Sequence, residues 1–309
     1  MSATTLPALE PEAREKFREA GRIAREAREL GVSLIHPGAS LREVIEKVEG
    51  FIISQGAGMA FPAQTSRNHC AAHYCPGPRD ETRYEPEDVV KIDIGVEVDG
   101  YVADNAQTVY LGEKPHYHKM IEASAAGLAA AIDTVADGIE VREVSAAIEA
   151  AIEAHGFHPV TNLTGHGVGR WKVHCAPQVP AVPDKHDTFV LREGMASAIE
   201  PFSTDGKGRV HEKGRAEIFM MMREPRKMKQ IDAAVYERIE AMNGLPFARR
   251  TFGGLPKDAI ETTLARLLRT GCLAVYPPLV DPDPTVRIAQ TEHTMIVTRD
   301  GAEVITRAD

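Results

Sequence analysis

The sequence predicts an α/β fold made by internal duplication, with a pseudo-two-fold axis and a site between the two halves. Three observations lead there. A turn-and-helix pattern returns after one hundred residues, and β-rich runs follow each copy. The 309 residues, 43% hydrophobic and 26% charged, have the balance of one large or two ordinary globular domains.

Residues 12–30 place Ala13, Phe17, Ala20, Ala24 and Ala27 at helical spacing, with Ile23 and Leu30 beside them. Arg and Glu occupy the other face, so the segment reads as an amphipathic helix. HPGASLREVIEKVEGFIISQG follows: a Pro-Gly turn, Ser40 as a candidate N-cap, and a second helix. The later stretch ADGIEVREVSAAIEAAIEAHG repeats it. Gly38 matches Gly138, Arg42-Glu43-Val44 matches Arg142-Glu143-Val144, and Glu49, Ile52 and Gly56 match Glu149, Ile152 and Gly156. Amphipathic helices resemble one another, but identity at the turn glycines as well points to a duplicated unit. After the first copy, DVVKIDIGVEVDGYVADNAQTVYL holds two β-rich runs flanking Asp99-Gly100, a type I′ hairpin signal. After the second, residues 194–202 and 285–297 read as strands. Between these lies an insert at about 217–278, with helical patterns at 231–242 and 259–268, the basic stretch REPRKMK, and Leu-Pro and Pro-Pro breakers.

The composition excludes several classes. No run approaches the ~18 apolar residues of a membrane helix. The N-terminus, MSATTLPALEPEAREKF, lacks the plan of a secretory signal. A net charge of −9 argues against nucleic acid as the main partner. Cys70, Cys75, Cys175 and Cys272 form no C-x-x-C and fit a reducing, cytoplasmic compartment. There is no Walker loop, no G-x-S-x-G elbow, and GHGVG is not a dinucleotide fingerprint. REPRKMK reads as a solvated face, with contact to RNA or the ribosome as the sharper alternative.

The hairpin carries the first chemical signal. With a two-residue turn, Val98 faces Tyr101, Gly95 faces Asp104, and Asp93 faces Ala106. Asp93 and Asp104 then share a face as diagonal neighbours, roughly 7–8 Å apart at the backbone. Two buried carboxylates at that range repel and need a cation. Lys91, of the same parity, is the one basic residue in the strands, and a metal is the stronger reading. A solvent-facing hairpin with two ordinary acids is the plain alternative. The second half supplies His166 and His174 around a Gly-rich loop, and Glu200 and Glu292, each read as mid-strand among apolar neighbours. Four carboxylates and an imidazole suit two divalent first-row ions. His73 and His174 lie 101 residues apart, close to the repeat, and read as partners across the site. His69, Cys70, His73 and Cys75 superficially resemble a zinc knuckle, but their spacing fits no standard zinc pattern.

Together these residues resemble the methionine aminopeptidases, the type 2 branch in particular. The resemblance rests on FP…N…AAHYCP (61–76), KIDIG…DGYVADNAQTV (91–109), NLTGHGVGRWKVH (162–174), AIEPF (198–202), YPPL (276–279) and QTEHT (290–294), and covers the chain from about residue 10 onward. The insert between Glu200 and Glu292 is similar to that of type 2 members, and the short N-terminus to the archaeal form.

The resemblance implies a "pita-bread" α/β fold, with residues 1–216 and 279–309 as catalytic domain and 217–278 as inserted helical subdomain. It implies that Asp93, Asp104, His166, Glu200 and Glu292 hold two divalent ions (Co, Mn, Fe or Zn), with Asp104 and Glu292 bridging. Glu200 would act as general base, and His73 and His174 would contact the scissile amide. Phe61, Ile218 and Tyr276 would line the methionine pocket. The implied activity is removal of the N-terminal methionine from nascent proteins when the second residue is small. The implied setting is a cytoplasmic monomer, with room for ribosome association and no membrane or direct DNA binding. Three departures stand out: Cys175-Ala176-Pro177 where the family has Ala-Gly, Ile218 where many type 2 members have histidine, and Cys75 in place of a common threonine. None removes a ligand. Two rivals remain, a proline-directed dipeptidase of the same fold and a non-catalytic ribosome- or RNA-binding adaptor.

Overall fold

A computed structural model of the chain describes residues 9–308. Residues 1–8 of the stretch read for an export signal lie outside the described residues.

The duplication is visible in the hydrogen bonds. Helix α1 (Pro11–Leu34) leads through a Gly turn into α2 (Leu41–Ser54), and α3 (Pro115–Thr134) into α4 (Val141–Ala154) in the same way. The turn glycines have nearly equal positive φ, +88° at Gly38 and +89° at Gly138, a conformation glycine adopts without a Cβ penalty. Their N–H groups reach equivalent carbonyls, Tyr84 O at 2.8 Å and Leu191 O at 3.0 Å. The caps differ in chemistry but not in place. Ser40 Oγ accepts from the Glu43 N–H at 3.4 Å, whereas Glu143 reaches back to the Glu140 N–H at 3.1 Å.

Both helix pairs cover one antiparallel sheet, nine-stranded among the described residues. Its central order is Gly58–Met59, Val89–Val98, Tyr101–Tyr110, Glu292–Thr298, Ala196–Ile199, Thr164–Gly169, Lys172–Pro180. Each half buries its own cluster. Phe17, Ile23, Leu41 and Ile45 meet Ile92, Ile94 and Val96 in the first, and Met120, Leu128, Ile148 and Ile152 meet Val179, Met295 and Val297 in the second. The halves join where Tyr101–Tyr110 pairs with Glu292–Thr298, through Asn105↔His293 and Ala106↔Glu292.

The segment read as a helical insert carries α5 (Ala233–Ala241) and α6 (Lys257–Arg269), with Asp232 capping α5. It also holds a three-stranded sheet of Ile218–Met221, Phe247–Ala248 and Leu273–Tyr276, too short to leave a period in the sequence. Phe219, Phe247, Phe252, Leu264 and Leu267 form a core of its own. No helix among the described residues is long and apolar enough to cross a membrane.

Two details depart from the sequence reading. Arg28, assigned to the solvent face of α1, is buried. Neither Glu200 nor Glu292 is mid-strand. Glu200 lies just past Ala196–Ile199, and Glu292 opens its strand after a break at Thr291. Pro201 has no N–H for the ladder, so the chain leaves the large sheet there. Phe202–Thr204 pairs instead with Ile288–Gln290 in a separate small sheet, and both glutamates sit at the crease.

Candidate metal centre

One cavity of about 530 Å³ is lined by all ten side chains singled out in the sequence: Phe61, His73, Asp93, Asp104, His166, His174, Glu200, Ile218, Tyr276 and Glu292. The strands explain the convergence. The hairpin turns through Asp99 and Gly100, both at positive φ (52° and 87°), as a type I′ turn requires. Its register pairs Val98 with Tyr101, Gly95 with Asp104 and Asp93 with Ala106. Glu292 pairs with the other side of Ala106, so Asp93 and Glu292 flank one small residue in a single row across three strands. Asp104 is fixed by the neighbouring strand: its N–H donates to Thr294 Oγ1 at 2.8 Å, and that hydroxyl donates to Asp104 O at 2.8 Å.

His166 sits between two glycines for a steric reason. A Cβ at Gly165 would lie 2.7 Å from Ala198 O, and one at Gly167 would collide with Ala176 O. Both approaches are to backbone, which cannot yield. The imidazole Nδ1 lies 3.3 Å from Gly167 O, which places the ring proton on that nitrogen. Nε2 therefore presents a lone pair, and it faces Asp104 Oδ2 at 3.7 Å and Glu200 Oε1 at 3.9 Å. Donor atoms of Asp104, His166 and Glu292 all lie within 4.8 Å of one another.

These groups are acceptors turned towards acceptors. Asp93 Oδ1 and Asp104 Oδ1 are buried without a hydrogen-bond partner. Burial pushes the Asp93 carboxyl up to about 7. Burial, then repulsion from the neighbouring carboxylates, raises Asp104, Glu200 and Glu292 well above the usual range. Burial also lowers His166 to about 3, so its imidazole is neutral and free to act as a ligand. Hard oxygens plus one neutral imidazole, with unsatisfied oxygens, fit divalent first-row cations.

His73 and His174 both pack near Tyr276, with ring centroids 5.6 and 6.3 Å from it. His174 also meets His166 edge-on at 4.4 Å. Burial lowers His73 to about 4. His174 is accessible to solvent in the cavity, yet the protein packed around it holds its pKa below the usual histidine value. Phe61 and Ile218 are buried in the wall.

Sequence reasoning missed the groups that orient this set. Gln290, wholly buried, donates through Nε2 to Glu200 Oε2 at 3.0 Å and lies 3.4 Å from Glu292 Oε2. Gln64 Oε1 accepts the His73 N–H at 2.7 Å. The signal for Gln290 was its position two residues before Glu292, in a run that reads from sequence as a single strand. Among the described residues, ligand atoms of Asp104, His166 and Glu292 come together, and the His69–Cys75 run gathers no such group of three. The basic stretch is mostly exposed, and the Arg223 guanidinium donates to Thr270 O and Gly271 O.

Comparison with known proteins extends these observations. A family model described as metallopeptidase family M24 matches residues 15–299. The chain is 40% identical over 294 residues to a methionine aminopeptidase of Pyrococcus horikoshii, covering 94% of this chain and 99% of that protein. Among solved structures it is similar to a methionine aminopeptidase from Thermotoga maritima, with TM-score 0.73 and 24% identity over 98% of this chain and 100% of that one. It is also similar to a thermophilic Arx1, with TM-score 0.85 and 15% identity over 98% of this chain and 92% of that one. At such identities the two structures speak for the fold alone.

Proposed function

The chain belongs to metallopeptidase family M24 and has its α/β pita-bread fold, and from that premise we propose that it removes the N-terminal methionine of nascent proteins whose second residue is small. The observation that carries the reading is the His166 lone pair facing two carboxylate oxygens, beside two orphaned aspartate oxygens, on the wall of a cavity. Identity of 40% to a methionine aminopeptidase over nearly the whole chain supports it.

Asp93, Asp104, His166, Glu200 and Glu292 would hold two divalent ions. When bound, such ions polarise the scissile carbonyl and lower the pKa of a water. The chain's own residues do the rest. Glu200, oriented by Gln290, takes a proton from the attacking water. His73 and His174 hydrogen-bond the scissile amide and its carbonyl oxygen from the opposite wall. Phe61, Ile218 and Tyr276 form the apolar slot for the methionine side chain, where its flexible thioether packs well. The rigid centre and the two histidines leave little room beyond the scissile bond, which favours Gly, Ala or Ser next.

Residues 217–278, with their separate core, are proposed as the insert of a type 2 enzyme, and 1–216 with 279–309 as the catalytic domain. The proposed substrates are nascent-chain N-termini in the cytoplasm, met by a monomer that acts at or near the ribosome. The test is hydrolysis of Met-Ala-Ser, Met-Lys-Ser and Ala-Pro peptides by metal-stripped protein reconstituted with Mn, Fe, Co or Zn. Met-Ala-Ser should be cleaved fastest and only with metal. Faster cleavage of Ala-Pro would move the chain to the proline-directed enzymes, and no cleavage with no metal uptake would make it an adaptor.

A further inference from the structure

We propose that Arg250, in the insert, is a positioning residue that braces the wall carrying His73 and Phe61. The inference rests on the proposed role of His73, and begins from the wall itself. Adjacent residues along it face opposite ways. His73, Ile218 and Leu279 line the substrate cavity, while Tyr74, Glu217 and Val280 line a second cavity of about 900 Å³ behind it. Protein interiors hold side chains by close packing, and this wall has open space where a core would be. His73 is also strained. Its φ is +66°, in the left-handed region that a non-glycine residue keeps only when its surroundings force it.

Arg250 supplies a rigid fork in that gap. Its side chain is only 8% exposed. Nε donates to Glu49 Oε2 at 2.9 Å and Nη2 to Glu49 Oε1. Nη1 donates to Pro76 O at 3.0 Å and Cys75 Sγ at 2.6 Å, and Nη2 also reaches Ala63 O at 3.2 Å. Glu49 Oε1 in turn accepts the Ala63 N–H at 3.0 Å. One guanidinium therefore ties α2 to two segments: Ala63, two residues after Phe61, and Cys75–Pro76, just after His73. Gln64, next to Ala63, holds the His73 N–H from the other side. Gln64 and Arg250 together fix where the imidazole sits, and the insert contributes the guanidinium that spans α2, Ala63 and Cys75–Pro76. A lysine would not replace it, because a single ammonium cannot reach a carboxylate, a sulfur and two carbonyls in fixed directions.

The experiment compares Arg250→Met, Glu49→Met and their double variant with His73→Ala, measuring unfolding, bound metal, and kcat and KM for Met-Ala-Ser separately. Each single variant leaves a buried charge unpaired and should be less stable, and the double should recover much of that loss. Turnover should not recover with it. The double variant should bind its full metal yet have kcat lowered about tenfold or more, because a misplaced group loses transition-state contact. Turnover that returns to wild type along with stability overturns the proposal. If the double variant does not fold, Arg250→Lys takes its place: full metal with lowered kcat supports the brace, and wild-type kcat refutes it. Wild-type kcat in His73→Ala would instead overturn the role of His73, and this inference with it.

Discussion

Gly95→Ala separates the substrate pocket from the metal centre. A Cβ at residue 95 would lie 2.8 Å from Phe61 Cζ and nearer still to two other atoms of that ring. The Phe61 backbone cannot retreat, since the Ala60 N–H is bonded to Gly95 O at 3.0 Å. The ring belongs to the buried core and also lines the cavity, so its open way out is into the cavity. Overpacking of this kind costs about 1–3 kcal/mol. If the methionine side chain has to push the ring back, that cost is paid on binding, and kcat/KM falls about 5- to 150-fold, mainly through KM. The strand itself accepts alanine, so the backbone under Asp104 should hold and the metal content stay full. The assay is steady-state hydrolysis of Met-Ala-Ser with metal analysis of the same sample. Adding Phe61→Leu should recover part of KM by shortening the obstructing side chain. An unchanged KM, or loss of metal, would refute the placement of Phe61 in the pocket.

Asp104→Asn should lose at least one ion and nearly all activity, because an amide cannot offer two anionic oxygens to two cations; full metal stoichiometry with normal turnover would end the dinuclear proposal. His73→Ala and His174→Ala should keep their metal and lose about 10²-fold in kcat, the scale of a lost acid–base or oxyanion contact. Metal loss would instead make them ligands. The metal-free protein should also have a distinctive pH profile. Its carboxyls keep protons that the unfolded chain releases near pH 4, so that stabilisation is fully present below about pH 4 and is lost as pH rises through about 7 for Asp93. His73 and His166, lowered to about 4 and about 3, act in the opposite sense and lose stability only as pH falls from 6.5. Above about pH 7 Lys91, lowered to about 7 by burial, opposes the carboxyls, but with one proton against those of four raised acids. The melting temperature of stripped protein should therefore still fall between pH 6.5 and about 8, and that of Mn-loaded protein should not. A rise in the stripped protein would contradict the buried acidic cluster.

The parts of this molecule that were legible were those with a period or a fixed turn chemistry. The Asp99-Gly100 pair required its hairpin, and the hairpin's register alone set Asp93 and Asp104 on one face. The repeated glycines at 38 and 138 marked the duplication, because their positive φ is needed in both copies. The illegible parts depend on what lies across space. Arg28 lies at the edge of the apolar stripe of α1, and nothing local says that His293 approaches its guanidinium at 3.5 Å. The insert's strands, four residues or fewer, are shorter than an alternation can reveal. Glu49 and Arg250 are 201 residues apart, and each alone reads as an exposed charge.

The duplication also gives a reason for where the proposed centre lies. The two copies meet at the Asn105–His293 pair, and each contributes the residue just before it, Asp104 from one and Glu292 from the other. An antiparallel pair near a two-fold axis brings such equivalent positions together, and two carboxylates placed that way repel unless cations lie between them. The remaining proposed ligands break the symmetry: Asp93 comes from the first copy's hairpin, His166 from a strand of the second copy and Glu200 from just past another. So does segment 217–278, the proposed insert, which follows only the second copy and supplies Ile218, Tyr276 and Arg250 to the far wall. Symmetry therefore accounts for the paired carboxylates, and departure from symmetry for the pocket. Specificity should respond to changes in the insert that leave metal binding untouched, whereas no change beside Asn105 or His293 should alter one without the other.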